Sequence, residues 1–99
     1  MSGGGSMPPV AKSALERLLK IAQSDTGQSR RVADFLLAWW NAGEHGGFDF
    51  TNLWSLDDSI VRDCVAVFMY IGSYRVYPDS LGYSGEFDRI IAEWRGGAS

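Results

Sequence analysis

The chain has 99 residues, 45% apolar and 21% charged, with nine Lys and Arg against twelve Asp and Glu for a net charge of −3. That length holds one domain and no second, and the composition is that of a globular chain rather than a disordered one. Non-specific phosphate binding runs on a positive surface, so the balance disfavours a general nucleic-acid binder.

The charge is uneven. Residues 1–31 carry Lys12, Arg17, Lys20, Arg30 and Arg31 against Glu16 and Asp25, which is +3. Residues 32–99 carry four Arg against ten acids, which is −6. Cys64 is the single cysteine, so the chain forms no internal disulfide and no multi-cysteine zinc site. It lies in the apolar run Val61–Val67, where an inert buried thiol is expected. No apolar stretch reaches the length of a membrane span. No signal peptide is visible at Met1–Ser6. These features together lead us to expect a soluble protein of a reducing cytoplasm.

In chain order, residues 1–8 read as a flexible N-terminal segment, with Met7 a candidate natural start. Residues 9–95 read as a single helical domain and 96–99 as a fraying tail. Pro8 and Pro9 suit a helix entry. Ala11, Leu15, Leu18, Leu19 and Ala22 then recur at three and four, one stripe of an amphipathic helix. Glu16 and Lys20 form an (i, i+4) pair in the favourable order.

Ser24-Asp25-Thr26-Gly27 is a turn and cap cluster, with Asp25 and Gln28 approximating a capping box and Thr26 the rival N-cap. A second helix is predicted from Gly27 or Gln28 to Ala42, capped by Gly43. Its Val32, Ala33, Phe35, Leu36, Leu37, Ala38, Trp39 and Trp40 leave little polar face. Such a helix is central or presents one face to a partner.

Gly43–Leu56 reads as a loop, with a short strand at Phe48–Phe50 the alternative and its aromatics tucked onto the helices. Ser55 with the acidic Asp57 and Asp58 suits a helix start. Ile60, Val61, Cys64, Val67, Phe68 and Ile71 follow at helical spacing, and Val65, Met69 and Tyr70 widen the apolar arc. Pro78 stops the element. Ser84 caps a last helix with stripe Phe87, Ile90, Ile91 and Trp94, ended by Gly96-Gly97. The fold class expected is all-α. It is a small bundle of about four helices, with one long glycine- and aromatic-rich loop between the second and third.

Chemistry-bearing residues are few. His45 with Glu44 and Asp49 lacks a recognised ligand spacing, so no metal and no cofactor are expected. Asp25-Thr26-Gly27 has the residue types of an aspartic-protease loop but no second carboxylate, and a helix cap accounts for it. Asp57, Asp58 and Asp63 read as a solvated cap cluster. No catalytic constellation stands out, so no enzyme is expected. Gln28, Ser29, Arg30 and Arg31 are a candidate anion contact, since a helix N-terminus offers free N–H groups and two arginines add charge. P-loop and dinucleotide glycine spacings are absent.

Adjacent helical residues point about 100° apart, so Trp39 and Trp40 divide their roles. Trp39 shares its stripe with Val32, Phe35 and Leu36 and is assigned to the core. Trp40 with Leu37, Phe48 and Trp54 forms a candidate protein interface, tryptophan being a favoured anchor.

Ala14–Leu19, Asp25–Gln28 and Arg31–Asn41, with Gly46–Asp49, Leu53-Trp54 and Tyr77–Asp79, resemble a family of small proteins carried by plasmids and integrative elements of proteobacteria. The resemblance spans about residues 11–95, and the Trp39-Trp40 block is its most specific part. It implies a bacterial cytoplasmic setting and a mobile-element context, and it transfers no catalytic residue. Three readings stay open. One is a non-enzymatic helical module that binds another protein or a second copy of itself. Another is a nucleic-acid accessory protein using the five basic residues of the N-terminal third. The last is a counter-defence inhibitor that places its acidic half on a host complex.

Overall fold

The computed structural model describes residues 7–95, and every regular element among them is helical. Of the segments read as flexible, residues 1–6 and 96–99 lie outside the described residues, while Met7 packs against the core. The α-helices are α1 (Pro9–Ala22), α2 (Gly27–His45), α3 (Asp58–Tyr74) and α4 (Ser84–Trp94). Short 3₁₀ turns at Phe50–Ser55 and Pro78–Leu81 lie in the connections.

α1 is the hub. It packs on α3 most extensively, then on α2, and also on α4, while α4 packs on α2. The stripe read from the sequence is the buried face, joined by Ala14. Leu15 and Leu18 are fully buried, each worth about 1.5–3 kcal/mol of transfer free energy. They meet Val32, Ala33, Leu36 and Leu37 of α2, Cys64 and Val67 of α3, and Phe87 and Ile90 of α4 in one cluster. Glu16 does not pair with Lys20. Its carboxylate lies 3.9 Å from Lys12 and accepts from the Tyr83 hydroxyl at 3.1 Å.

Thr26, not Asp25, caps α2, its Oγ1 accepting from the Ser29 amide at 3.0 Å. The helix does not end at Ala42. It is interrupted at Asn41 (φ −168°, ψ 89°) and resumes for a last turn to His45. Asn41 Oδ1 accepts from the Glu44 amide at 3.2 Å, which caps that turn as asparagine does at a helix start. Gly46, at φ 94°, then reverses the chain, a conformation a side chain would strain.

α3 forms despite its valines. Its start is fixed from α2: Gln28 Oε1 accepts from the Asp57 amide at 2.7 Å, and Gln28 Nε2 donates to Asp57 at 3.3 Å. The N-cap position is therefore Asp57 rather than Ser55. At the other end the helix stops before Pro78, at Arg75 in the left-handed conformation (φ 53°). Between α1 and α3, Arg17 donates twice to Asp63, at 2.9 and 2.7 Å.

Candidate functional site

The segment between α2 and α3 forms no strand: it is irregular over residues 46–49 and then a 3₁₀ helix over Phe50–Ser55. Asp49 Oδ1 accepts from both the amide and the hydroxyl of Thr51, at 2.9 and 2.8 Å. This local turn competes well with strand pairing and starts the 3₁₀ helix at Phe50. The two hydrogen bonds also hold the Asp49 carboxyl below its usual pKa, the backbone one contributing most. In a 3₁₀ helix residues three apart stack in line, which sets Phe50 above Leu53. Leu53 packs on the core, whereas Phe50 is 71% exposed.

The aromatics of this segment divide. Phe48 tucks in, edge-on to Phe35 of α2 with ring centroids 5.4 Å apart. Phe50 and Trp54 do not tuck in, which corrects the expectation that the segment folds its rings onto the helices. Trp54 is the most exposed large apolar side chain among the described residues, at 83%.

Beside this segment runs the outer face of α3. Its inner face buries Ile60, Cys64, Val67 and Tyr70, and its outer face exposes Val65, Phe68 and Met69. From Cys64 to Tyr74 the sequence carries no charged residue. Between the 3₁₀ turn and α3 lies a cleft of about 220 Å³, walled by Phe35, Phe48, Phe50, Leu53, Cys64, Val65 and Phe68. Every wall is apolar.

The other three tryptophans are engaged. Trp39 meets Phe87 edge-on at 6.2 Å and donates its indole N–H to the Val76 carbonyl at 2.9 Å. Trp40 stacks on the same ring at 5.2 Å. Trp94 donates to the Ala22 carbonyl at 2.7 Å, closing the end of α1. Indole N–H groups normally find such partners when buried.

The interface residues read from sequence are therefore dispersed. Leu37 is fully buried in the core. Trp40 packs on the core through Phe87 rather than facing outward, and its assumed separation from Trp39 fails because one ring serves both. Phe48 lines the cleft, and Trp54, on the same 3₁₀ helix as Phe50, is exposed without lining it. Phe50, Val65, Phe68 and Met69 were not singled out from sequence. Their signal was an apolar arc on α3 wider than one buried stripe requires.

The candidate anion contact is largely spent on folding. Gln28 holds the start of α3, Ser29 is buried against Thr26 at 2.7 Å, and Arg31 donates to the Gly27 carbonyl at 3.1 Å. The shallow depression beside Arg30 and Arg31 also includes Asp34 and Asp49, which offset their charge. Elsewhere in the basic third Arg17 is tied to Asp63 and Lys12 lies near Glu16.

Cys64 is 2% exposed, and burial, helped by the neighbouring Asp63 charge, pushes its thiol up to about 12. A thiol so held stays protonated and unreactive at neutral pH. His45 offers its backbone carbonyl to Arg95 at 3.0 Å, and Arg95 also reaches Asp34 at 2.7 Å. Among the described residues no group of three His, Cys, Asp or Glu side chains is placed to hold a metal ion. Among them, too, no helix is long and apolar enough to cross a membrane.

The 3₁₀ turn and α3 thus wall an apolar, largely aromatic cleft. The family profile that matches this chain covers residues 12–95, both of those elements included. The chain belongs to DUF7673. DUF7673 is a family of unknown function. No curated protein and no solved structure gives a significant match.

Proposed function

We propose that this DUF7673 member is a non-enzymatic protein-interaction module, a small bundle of four α-helices that docks through the 3₁₀ helix bearing Phe50 and Trp54 and the outer face of α3 bearing Val65, Phe68 and Met69. One observation carries the reading. Three tryptophans are packed or hydrogen-bonded within the fold, and the fourth, Trp54, stands 83% exposed. Leaving so large a ring in water forgoes roughly 1.5–3 kcal/mol of burial, which a bound partner recovers. Aromatic residues and Met are enriched at interface centres. The resemblance in the Trp39-Trp40 block adds the setting: a bacterial cytoplasm and a mobile genetic element.

The test is comparative capture from a lysate of the source cell. The tagged chain and its Trp54→Ser/Phe68→Ser variant are run side by side, with circular dichroism confirming that both fold. A protein retained by the parent and lost by the variant supports the reading. Identical captures contradict it.

A further inference from the structure

We propose that the occupant of the aromatic face is a second copy of this chain, its α3 lying antiparallel on the first. The inference rests on the docking reading above and adds the partner. Three observations point to it: the area of the face, its symmetry, and the charges at its two ends.

Phe50 and Phe68 are 71 and 59% exposed. An aromatic side chain carries about 150–250 Å², so these two leave on the order of 200–300 Å² of ring surface open. A standard interface takes about 800 Å² from each partner, of which roughly 65% is apolar in homodimers. With Val65 at 51% and Met69 at 63% added, the face approaches one protomer's apolar share.

A two-fold interface must be self-complementary, with residue i meeting j and j meeting i. Val65 and Phe68 flank the midpoint of α3, which runs Asp58–Tyr74. An axis between them sets Val65 against the second copy's Phe68. Asp58 lies seven residues before Val65, and Arg75 seven after Phe68. Seven residues are about two helical turns, so the same axis sets Asp58 against the second copy's Arg75 at both ends. A parallel arrangement would oppose like charges instead. Both side chains are exposed, and among the described residues neither makes an ion pair. Arg75 also sits at φ 53°, a position that glycine or asparagine takes more readily.

Sedimentation equilibrium of the intact chain, from low to high micromolar, tests the proposal. A monomer–dimer equilibrium is expected for the parent. Phe68→Glu should abolish it while leaving the helical spectrum unchanged, and Met69→Glu should do the same. Asp58→Arg should weaken the dimer about tenfold, two rim pairs being lost by symmetry. Adding Arg75→Asp should restore it, since aspartate tolerates the left-handed backbone. A parent that stays monomeric, a dimer that survives Phe68→Glu, or a double reversal weaker than Asp58→Arg alone would each overturn the proposal. A monomeric parent whose lysate capture still depends on Trp54 and Phe68 sinks the second copy and spares the docking reading. A monomeric parent with face-independent capture sinks both.

Discussion

Trp40 lies nearly parallel to Phe87, ring centroids 5.2 Å apart and planes 19° from each other, while Trp39 meets the same ring edge-on at 84°. Two adjacent side chains on a helix diverge by about 100°, and Phe87, fully buried on α4, fills the angle between them. Phe87 thereby packs α4 against α2, beside the Arg95–Asp34 pair.

Both tryptophans are therefore structural. Trp39→Ala and Trp40→Ala should each lower stability by about 2–4 kcal/mol, toward the lower part of the range for truncating large aromatics because both rings are half-buried. For a domain of this size that shifts the melting temperature by on the order of 10–25 °C. Thermal unfolding of the two variants checks this. A stable Trp40→Ala protein that associates less well would return Trp40 to the surface.

Trp54→Ser should behave in the opposite way. Its ring touches solvent over most of its area, and surface substitutions of this kind stay within about 0.5 kcal/mol. The variant should lose the most red-shifted, most readily quenched part of the tryptophan emission. Acrylamide quenching beside a urea titration reads both effects. Marked destabilisation would mean that Trp54 belongs to the fold.

Cys64 gives a pH signature. An unfolded thiol ionises near ~8.5, whereas the folded one is pushed up to about 12, by burial first. The folded state thus holds its proton through that window and the unfolded state does not. Stability is undiminished below about 8.5 and falls as pH rises towards 12, by up to about 1.4 kcal/mol per pH unit from this group. Tyr83, also pushed up to about 12 by burial and then by Glu16, adds to the fall at the upper end. Urea unfolding at neutral and alkaline pH should show the decline, and Cys64→Ala should flatten its first part. Native Cys64 should label far more slowly than in denaturant; equal rates would contradict its burial.

The Arg17–Asp63 pair is asymmetric. The guanidinium side chain is 60% exposed and the carboxylate side chain 12%. Removing the arginine strands a nearly buried charge, whereas removing the aspartate returns a cation to water. Arg17→Ala should destabilise more than Asp63→Ala, and the double variant should resemble Asp63→Ala alone. A urea-denaturation cycle measures the coupling; equal single effects would show that the carboxylate is well solvated.

Helix periodicity made α1, α3 and α4 legible, because each buries a stripe at three and four. Two boundaries were not. The break at Asn41 had a local signal, Asn41 with Glu44 three residues on, but a helix apolar on most sides masks an internal cap. The start of α3 depends on Gln28, twenty-nine residues away, and no local pattern encodes it. The surface was harder still. Phe68 and Val67 are both apolar neighbours on one helix, yet Val67 is fully buried and Phe68 is 59% exposed. Which of them faces α1 is settled by packing, so periodicity found the helix without showing which apolar residues it leaves in water.

Oxidative footprinting of the intact chain tests the aromatic face most directly, comparing dilute protein with protein concentrated enough to associate. The account predicts that Phe50, Trp54, Phe68 and Met69 lose reactivity together on association, while Tyr83 and Trp94 on the opposite elements keep theirs. Unchanged reactivity at the four, or protection centred on Tyr83 and Trp94, would contradict it.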